Sequence, residues 1–492
     1  MLKRSRALAS VAMAALVAGL AAPAWAETLQ EALTLAYRTN PTLLAQRATQ
    51  RALDESIVQA RAGLRPQVTA SATTGYSYSK VQGGADLDST SATASVGLSQ
   101  TIYSGGRVGH SITAAEANIL AGRENLRDVE QQVLAAVIQA YADVLRDLEI
   151  LQVRQDNRGV LQRQLEESSA RFEVGEITRT DVAQSEARLA QSEADLANAR
   201  AQLSVSRAAY AAVVGQAPAN LETLPVLPGV PTDFDAALDV ALVENPGVRA
   251  ADYTLQGAEA RVAAARSEYL PSARLTASYG GASDSLRRFD LGDTTSFQAG
   301  ATLSVPLFTG GLNRSRVAQA LEQANVAQIN REGERRQVLR SVSTAYAQVI
   351  SARSTLQAGQ EAVRAASVAA EGVRQEAQVG LRTTLDVLNQ ELELRNAQVA
   401  LASARRNEYV AQAQLLAAMG RLEGQDLNAN IDVYDAGANY NRVRNRGALP
   451  WDGVIEAIDR IAAPSIMPAN DAADAPIDEQ LKSGIIRTAP QG

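Results

Sequence analysis

The sequence predicts a membrane protein of mixed α and β class, in which one large structural unit occurs twice along 492 residues. Three observations lead to this prediction. Short motifs recur at a spacing of 205 residues, paired segments alternate apolar and polar side chains, and long proline-free stretches carry apolar residues at helix spacing. A chain of this length has room for about two to four ordinary domains, but the constant spacing favours a duplicated one.

The N-terminus predicts a secretory signal peptide over residues 1–26. A basic start at residues 3–6, an apolar run at residues 7–20 and an A-x-A site at residues 24–26 fit cleavage before Glu27. The apolar run is shorter than the roughly 20 residues that a membrane-spanning helix needs, and an uncleaved anchor helix is the alternative. We therefore expect an exported chain.

Composition excludes several classes of function. Cleavage would remove three basic and no acidic residues, which leaves 44 basic and 54 acidic residues and a net charge of −10. Nucleic acid is then a poor partner, because phosphate binding needs a basic surface. The chain has no cysteine for disulfides or a lipid anchor, and one histidine, His110, argues against histidine metal sites and triads. We expect no enzyme, no metal and no cofactor.

Motifs that punctuate the chain occur in pairs, and the members of each pair are 205 residues apart. The pairs are Asn40-Pro41 and Asn245-Pro246, Pro66 and Pro271, Gly105-Gly106 and Gly310-Gly311, Tyr141 and Tyr346, Gly175 and Gly380, and Gly215 and Gly420. This period is far longer than a solenoid unit, so it indicates one large duplicated unit. The predicted segments are a first repeat at 27–220, a linker at 221–235, a second repeat at 236–430, a C-terminal segment at 431–462 and a disordered tail at 463–492.

Each repeat begins with a helical segment that a proline ends, and a β-hairpin follows, at residues 66–104 and 271–309. In the second repeat, for example, the apolar Ala273, Leu275, Ala277 and Tyr279 alternate with Ser272, Arg274, Thr276 and Ser278. One apolar face and one small polar face fit either a soluble sandwich or an outer-membrane barrel with a polar lumen. Strand length and aromatic residues near the strand ends favour the barrel.

Four strands cannot close a barrel, because about eight strands are needed before an interior exists. The chain must therefore associate with itself. Three copies would supply about twelve strands, and two copies about eight. No apolar run of 18 residues follows Leu20, so a barrel is the predicted way across a membrane.

Long helices follow each hairpin after a Gly-Gly turn. They run from Arg107 to about Ala170 and from Thr180 to Val214, and in the second repeat from Leu312 to Ala377 and from Thr384 to Met419. A helix of some 60 residues is a rod of about 90 Å. Heptad spacing of large and small residues fits both a coiled-coil rod and a water-filled helical tube.

The loops between the long helices share a motif, RFEVGEITRTDV at 171–182 and EAQVGLRTTLDV at 376–387. Val-Gly is expected to end one helix. Thr180 with Asp181, and residues 383–386, are expected to cap the start of the next. These loops would lie at the tips of the rods, farthest from the strands.

The duplicated hairpin with paired long helices, the Asn-Pro pairs, the Gly-Gly turns and the V-G-x-x-T tips resemble the TolC family of outer-membrane efflux proteins. The resemblance covers residues 28 to about 430. It implies a homotrimer with a twelve-strand barrel in the outer membrane of a Gram-negative type envelope. Twelve packed helices would continue the barrel as a tunnel through the periplasm, surrounded by an equatorial belt that includes the linker and the C-terminal segment.

The resemblance also implies roles for residues at the tips. Asp386 matches an acidic ring at the tunnel entrance, with Asn389 where the family often has a second acid. Asp181, Arg382 and neighbouring Thr180 match contacts that close the entrance, although Ala377 replaces a family tyrosine of the same lock. Six residues match the tips that meet a periplasmic adaptor: Val174, Gly175, Thr178, Val379, Gly380 and Thr383.

The function implied is a passive, porin-like exit duct of a tripartite efflux or type I secretion system. Its partners would be an adaptor (membrane fusion) protein, an inner-membrane pump of ABC or RND type, and outer-membrane lipid. The cargo is open, with a slight preference for type I protein secretion because of the long tail. The alternatives are a coiled-coil cell-surface protein such as an adhesin and a secreted enzyme.

Overall fold

The computed structural model describes residues 27–80, 82–84, 87–283, 294–428 and 431–468. The predicted signal peptide and the tail from residue 469 lie outside this part of the chain. The first repeat contains α1 (Leu29–Thr39), α2 (Pro41–Asp54), α3 (Ser56–Arg61), β1 (Gln67–Ser79), β2 (Leu87–Tyr103), α4 (Arg107–Glu173) and α5 (Arg179–Val214). The second contains α6 (Phe234–Glu244), α7 (Pro246–Arg266), β3 (Ser272–Ser283), β4 (Thr294–Ser304), α8 (Leu312–Gln378) and α9 (Thr384–Met419). Three short helices follow: α10 (Gly424–Leu427), α11 (Ala436–Val443) and α12 (Asp452–Asp459).

The first helical segment of each repeat is broken at its Asn-Pro pair instead of running on as one helix. Proline lacks the N–H that would continue the helix, and it forces the preceding residue out of helical geometry. Asn40 is accordingly extended, and its side-chain oxygen accepts from Thr42 N at 2.9 Å. Its Nδ2 donates to the Val213 carbonyl at 2.9 Å, and Asn245 Nδ2 donates likewise to Ala418 at 3.0 Å. Each break is thereby attached to the end of a long helix.

The four strands form one antiparallel sheet in the order β1-β2-β3-β4. The pairing of β2 with β3, from Ala92 opposite Ser283 to Tyr103 opposite Ala273, joins the hairpins of the two repeats. Within the described chain β1 and β4 are edge strands, and β1 and β4 are exposed at every position. β4 ends at Ser304, short of the predicted boundary, because Pro306 cannot donate to a ladder.

The chain divides into two compact units, and neither coincides with a sequence repeat. Among the described residues, the first unit comprises residues 27–45 together with Arg127–Asn245 and Val338–Val433. The second comprises the described residues of Gln46–Leu126 and Pro246–Gln337 together with residues 434–468. The long helices α4 and α8 each contribute to both units.

In the first unit, two fully buried tyrosines organise the core. The rings of Tyr141 and Tyr210 lie 6.3 Å apart, among buried aliphatic side chains such as Leu33. The Tyr141 hydroxyl donates to the carbonyls of Glu27 and Glu222, both at 2.8 Å, and the Tyr210 hydroxyl donates to the Glu27 carboxylate. Burial raises the pKa of both phenols, so they remain neutral donors. The two tyrosine hydroxyls thus bind Glu27, the first residue of the described chain, to the core.

In the second unit, α12 packs where the first hairpin meets α4. Ile455 of α12 is buried with Leu64 and Val108. The buried carboxylate of Asp459 accepts from the backbone N–H of Ser104 at 2.5 Å and from its hydroxyl at 2.8 Å. Gly106 has φ +83°, and a Cβ there would collide with Ala463. The Gly-Gly turn therefore serves both the backbone reversal and the close approach of the C-terminal segment.

Among the helices of the described residues, none combines the length and the apolar character that crossing a membrane would need.

Tyr141 and its repeat partner Tyr346 give a matched test of the tyrosine core. Tyr141→Phe removes the buried hydroxyl that the carbonyls of Glu27 and Glu222 share, although the Glu222 N–H still reaches the Glu27 carbonyl. We expect it to lower the free energy of unfolding by about 1–3 kcal/mol. Tyr346 donates to the Thr232 carbonyl at 2.8 Å in an exposed setting, so Tyr346→Phe should cost less than about 1 kcal/mol. Denaturant midpoints of the two variants give the comparison, and equal shifts would contradict it.

Candidate functional site: the paired helix tips

The two loops that join the long helices have the same backbone structure. α4 ends at Glu173 and α8 at Gln378, and Gly175 and Gly380 follow with φ +80° and +78°. Each glycine N–H bonds to the carbonyl three residues back, at 3.0 and 3.1 Å, and the next N–H bonds to the carbonyl five back, at 2.9 Å. This is the Schellman pattern, which closes a helix with a left-handed residue.

A capping box starts the second helix of each tip. Asp181 accepts from the backbone N–H of Thr178 at 2.9 Å, and Asp386 accepts from that of Thr383 at 3.1 Å. The hydroxyls of the two threonines donate to the same carboxylates, each at 2.8 Å. The first cap is therefore Thr178, whereas Thr180 lies exposed in the first turn of α5. Both predicted gate carboxylates hold helix starts in place.

The capping box also sets the charge state of Asp386. Hydrogen bonds from the backbone and then the side chain of Thr383 lower the pKa of this carboxyl, and the positive charge of Arg382 acts in the same direction. The capping interaction is present above the ordinary carboxyl pKa and is lost only as the pH falls through the lowered value. Asp386 is thus a stably ionised, solvent-facing acid.

Arg382 is bound within its own tip. Its Nε donates to Glu376 at 2.7 Å, and this hydrogen bond with the charge of Glu376 raises the pKa of the guanidinium. Both side chains are about half exposed. Within the described chain Arg382 therefore pairs with Glu376, and Asp181 is engaged by Thr178. The sequence resemblance gave no hint of Glu376 as the partner.

Asn389 and Ala377 lie where the two hairpins approach one another. Arg188 of α5 donates to Asn389 Oδ1 at 3.1 Å, so the residue in the place of a second acid links the hairpins. Ala377 lines a groove of about 480 Å³, together with Arg163 of α4, Arg374 of α8 and Val387 of α9. The small side chain leaves this groove open.

Sequence reasoning missed a buried ionic cluster in the second hairpin. Glu391 is 2% exposed and binds both Arg374 on α8 and Arg395 on α9, the latter at 3.3 Å. The first hairpin is joined near its tip by the hydroxyls of Ser168 and Ser185, which lie 3.2 Å apart and are also buried. The i,i+4 spacing of Glu391 and Arg395 can be recognised in the sequence. The contact of Glu391 with Arg374 cannot, because it forms only when α8 and α9 pack together.

Exposed aliphatic side chains mark both tips. Val174 is 73% exposed, Val379 is 70% and Leu381 is 75%. Elsewhere in the described residues, no group of three or more histidine or acidic side chains is placed to hold a metal ion.

A family of known proteins matches the chain twice. The sequence model of the outer membrane efflux protein family matches residues 32–216 and again residues 237–421. The two matches are offset by the same 205 residues that separate the paired motifs. The family unit and the sequence repeat therefore coincide.

Individual relatives match over most of their length. The outer membrane efflux protein BepC of Brucella suis biovar 1 is 34% identical over 431 residues, which is 88% of this chain and 92% of that protein. The outer membrane protein TolC of Vibrio cholerae is 28% identical over 424 residues, covering 84% of this chain and 96% of the relative. The similarity thus spans both hairpins and both tips.

A solved structure supports the fold. The crystal structure of the CmeC outer membrane channel of Campylobacter jejuni superposes with a TM-score of 0.71 at 16% identity. The alignment covers 85% of this chain and 89% of the channel. The order of helices and strands therefore follows an architecture known from experiment.

The tip glycines allow a direct test of the Schellman turns. A Cβ at Gly380 would meet no other atom, but the left-handed backbone would cost about 1 kcal/mol or slightly more. We expect Gly380→Ala to speed hydrogen exchange of the tip amides by about fivefold. Gly372→Ala is the control, since Gly372 is helical and equally open, and it should slow local exchange. The same acceleration in both variants would argue against the turn.

Proposed function

We propose that this chain, which belongs to the outer membrane efflux protein family, acts as a homotrimeric exit duct through the outer membrane and periplasm. The main support for this proposal is that the family model matches both repeats, from the first helical segment through the hairpin to the end of the long helices. The protein is an outer-membrane channel that passes substrates to the exterior. The duct conducts passively and carries out no chemistry.

The sheet supplies the membrane part of the proposed duct. Three copies joined edge to edge, β4 of one copy to β1 of the next, would give a closed barrel of about twelve strands. The strands have 13, 17, 12 and 11 residues, and about 9–11 are needed to cross a bilayer on a tilt. Exposed apolar side chains such as Val68, Tyr279, Phe297 and Leu303 would face lipid.

The helix tips supply the docking surface in this proposal. A periplasmic adaptor would contact Val174, Gly175 and Thr178 of the first tip and Val379, Gly380 and Thr383 of the second. The exposed valines support this assignment, because burial under a partner removes apolar area from water. An inner-membrane pump of ABC or RND type would deliver cargo through the adaptor.

The entrance would be closed by contacts between neighbouring copies. Because Glu376 holds Arg382 within its own tip, a closing contact with Asp181 requires Arg382 to reach across to another copy or to leave Glu376. Asp386 would form the acidic ring at the entrance, with Asn389 kept for the Arg188 contact. The lock would depend on few side chains, since Ala377 contributes no polar group.

A coiled-coil surface protein without transport is not supported, because the family match includes the hairpins as well as the rods. Fractionation of the envelope, followed by gel migration before and after heating, tests the proposed assembly. A heat-sensitive trimer in the outer-membrane fraction is expected. A soluble monomer would overturn the proposal.

The cargo is decided by a separate experiment. Deletion of the gene should either sensitise cells to small toxic compounds or remove specific proteins from the medium. The first outcome favours efflux and the second favours type I secretion, which the long tail slightly favours. The name of the relative BepC refers to efflux.

Arg382→Ala should make the closed duct leaky. The substitution removes the proposed contact with Asp181, and we expect a higher conductance of the resting channel in a planar bilayer. Glu376→Gln is the matched control, because it frees Arg382 without removing it and should leave the resting conductance unchanged or lower. Unchanged conductance in Arg382→Ala would rule out this residue as part of the lock.

Asp386→Asn should weaken block of the channel by multivalent cations. Asparagine keeps an acceptor oxygen for the capping box but removes the charge that would bind the cation. Asp181→Asn, which alters the equivalent box of the first tip, should retain block. Because the pKa of Asp386 is lowered, block of the unmodified channel should persist at pH 5. The same blocking concentration in both variants would contradict the acidic ring.

A further inference from the structure

Charged residues are nearly absent from the four strands. Within the bounds of β1 to β4, Asp88 and Arg274 are the two charged side chains. Asp88 lies opposite Tyr78, at the end of the first hairpin next to its loop. Arg274 is the third residue of β3, close to the opposite end of the sheet. The two charges therefore do not neutralise one another.

Arg274 belongs to the polar face of the sheet. It lies opposite Thr101 on β2 and opposite Thr302 on β4. Side chains directly opposite one another on antiparallel strands share a face, and successive residues alternate. The apolar Leu275 next to it therefore lies on the other face, opposite Gln100 and Ala301. Arg274 thus interrupts a surface of hydroxyl groups and glycine with a full positive charge.

The guanidinium of Arg274 is exposed and has no acidic partner within 4.0 Å among the described residues. Two arginines near this end of the sheet are paired: Arg316 lies 2.8 Å from Glu268, and Arg65 lies 2.9 Å from Asp452. An unpaired arginine is a poor contributor to stability. Its charge remains available to act on something in solution.

The position along the strand is equally specific. Thr101, the neighbour of Arg274, lies two residues before the end of β2, and α4 begins at Arg107. Arg274 therefore sits at the end of the sheet from which the long helices start. In a barrel made of such sheets, this is the rim where the strands give way to the helices.

We propose that Arg274 is a selectivity residue, which in the trimer forms a ring of three positive charges on the lumen wall at the helical end of the barrel. This inference rests on the proposed homotrimeric duct. The ring favours the passage of anions and of cargo with exposed acidic or phosphate groups, and it disfavours cations. Because the walls of a pore have a low dielectric constant, they focus the field of such a ring into the lumen.

Salt sets the reach of the ring. The Debye length is about 10 Å at 0.1 M and about 3 Å at 1 M. At low salt the three charges therefore act across much of the lumen, whereas at high salt they act only near the wall. A charge effect must weaken with salt, and a change of pore shape need not.

The test uses the full-length protein, purified and reconstituted in planar bilayers under a KCl gradient. Arg274→Gln should lower the permeability of Cl⁻ relative to K⁺ by about twofold or more near 0.1 M salt, and by clearly less near 1 M. Arg274→Lys should behave like the unmodified channel. The double variant Arg274→Gln/Thr302→Arg returns a positive charge to the neighbouring position on the same face and should restore the selectivity.

The outcomes separate this inference from the proposed function. If the purified chain forms no channel, the duct itself is refuted. If the channels conduct normally and Arg274→Gln leaves the permeability ratio unchanged, Arg274 is not a selectivity residue. A loss that Thr302→Arg does not restore, or one of the same size at both salt concentrations, would assign Arg274 a structural role and overturn the inference.

Discussion

Backbone groups without a partner are the constraint on which the architecture depends. The outer strands β1 and β4 each offer a row of N–H and C=O groups, and neither pairs with a further strand in the described chain. Such edges cannot enter hydrocarbon, where an unpaired peptide group costs several kcal/mol. Joining edge to edge satisfies both rows at once. Association of the chain with further copies of itself follows from this requirement.

The two repeats share the hydrogen bonds of their helix tips but differ in how the helices pack behind the tips. Gly175 and Gly380 close their helices with the same hydrogen bonds, and the threonine-aspartate boxes open the next helices in the same way. The interiors differ, since a buried ionic cluster around Glu391 holds one hairpin and a pair of small hydroxyls holds the other. Hairpins of equal length are therefore joined by contacts of unequal charge and size.

Features that depend on local sequence could be predicted, and those that depend on distant contacts could not. The hairpins, the long helices and the glycine turns follow from alternation, proline-free runs and backbone conformation. The apolar spacing alone predicts one continuous first helical segment, although Pro41 by itself indicates the break at Asn40. The bond from Asn40 to Val213 and the Arg374 contact of Glu391 join positions that only the folded chain brings together. Arg382 reaches Glu376, six residues back, because the glycine turn at the tip brings the two side chains together. Thr178 is the cap in place of the predicted Thr180, because the capping box places its threonine three residues before the aspartate, Asp181.

The contact between Asp459 and Ser104 joins positions 355 residues apart in the chain. Synthesis proceeds from the N-terminus, so the carboxylate that completes the start of α4 is added after most of the chain. Until then the first strand-to-helix junction lacks its last acceptor. The first hairpin thus gains its completed junction with α4 only when one of the last helices of the chain has been made.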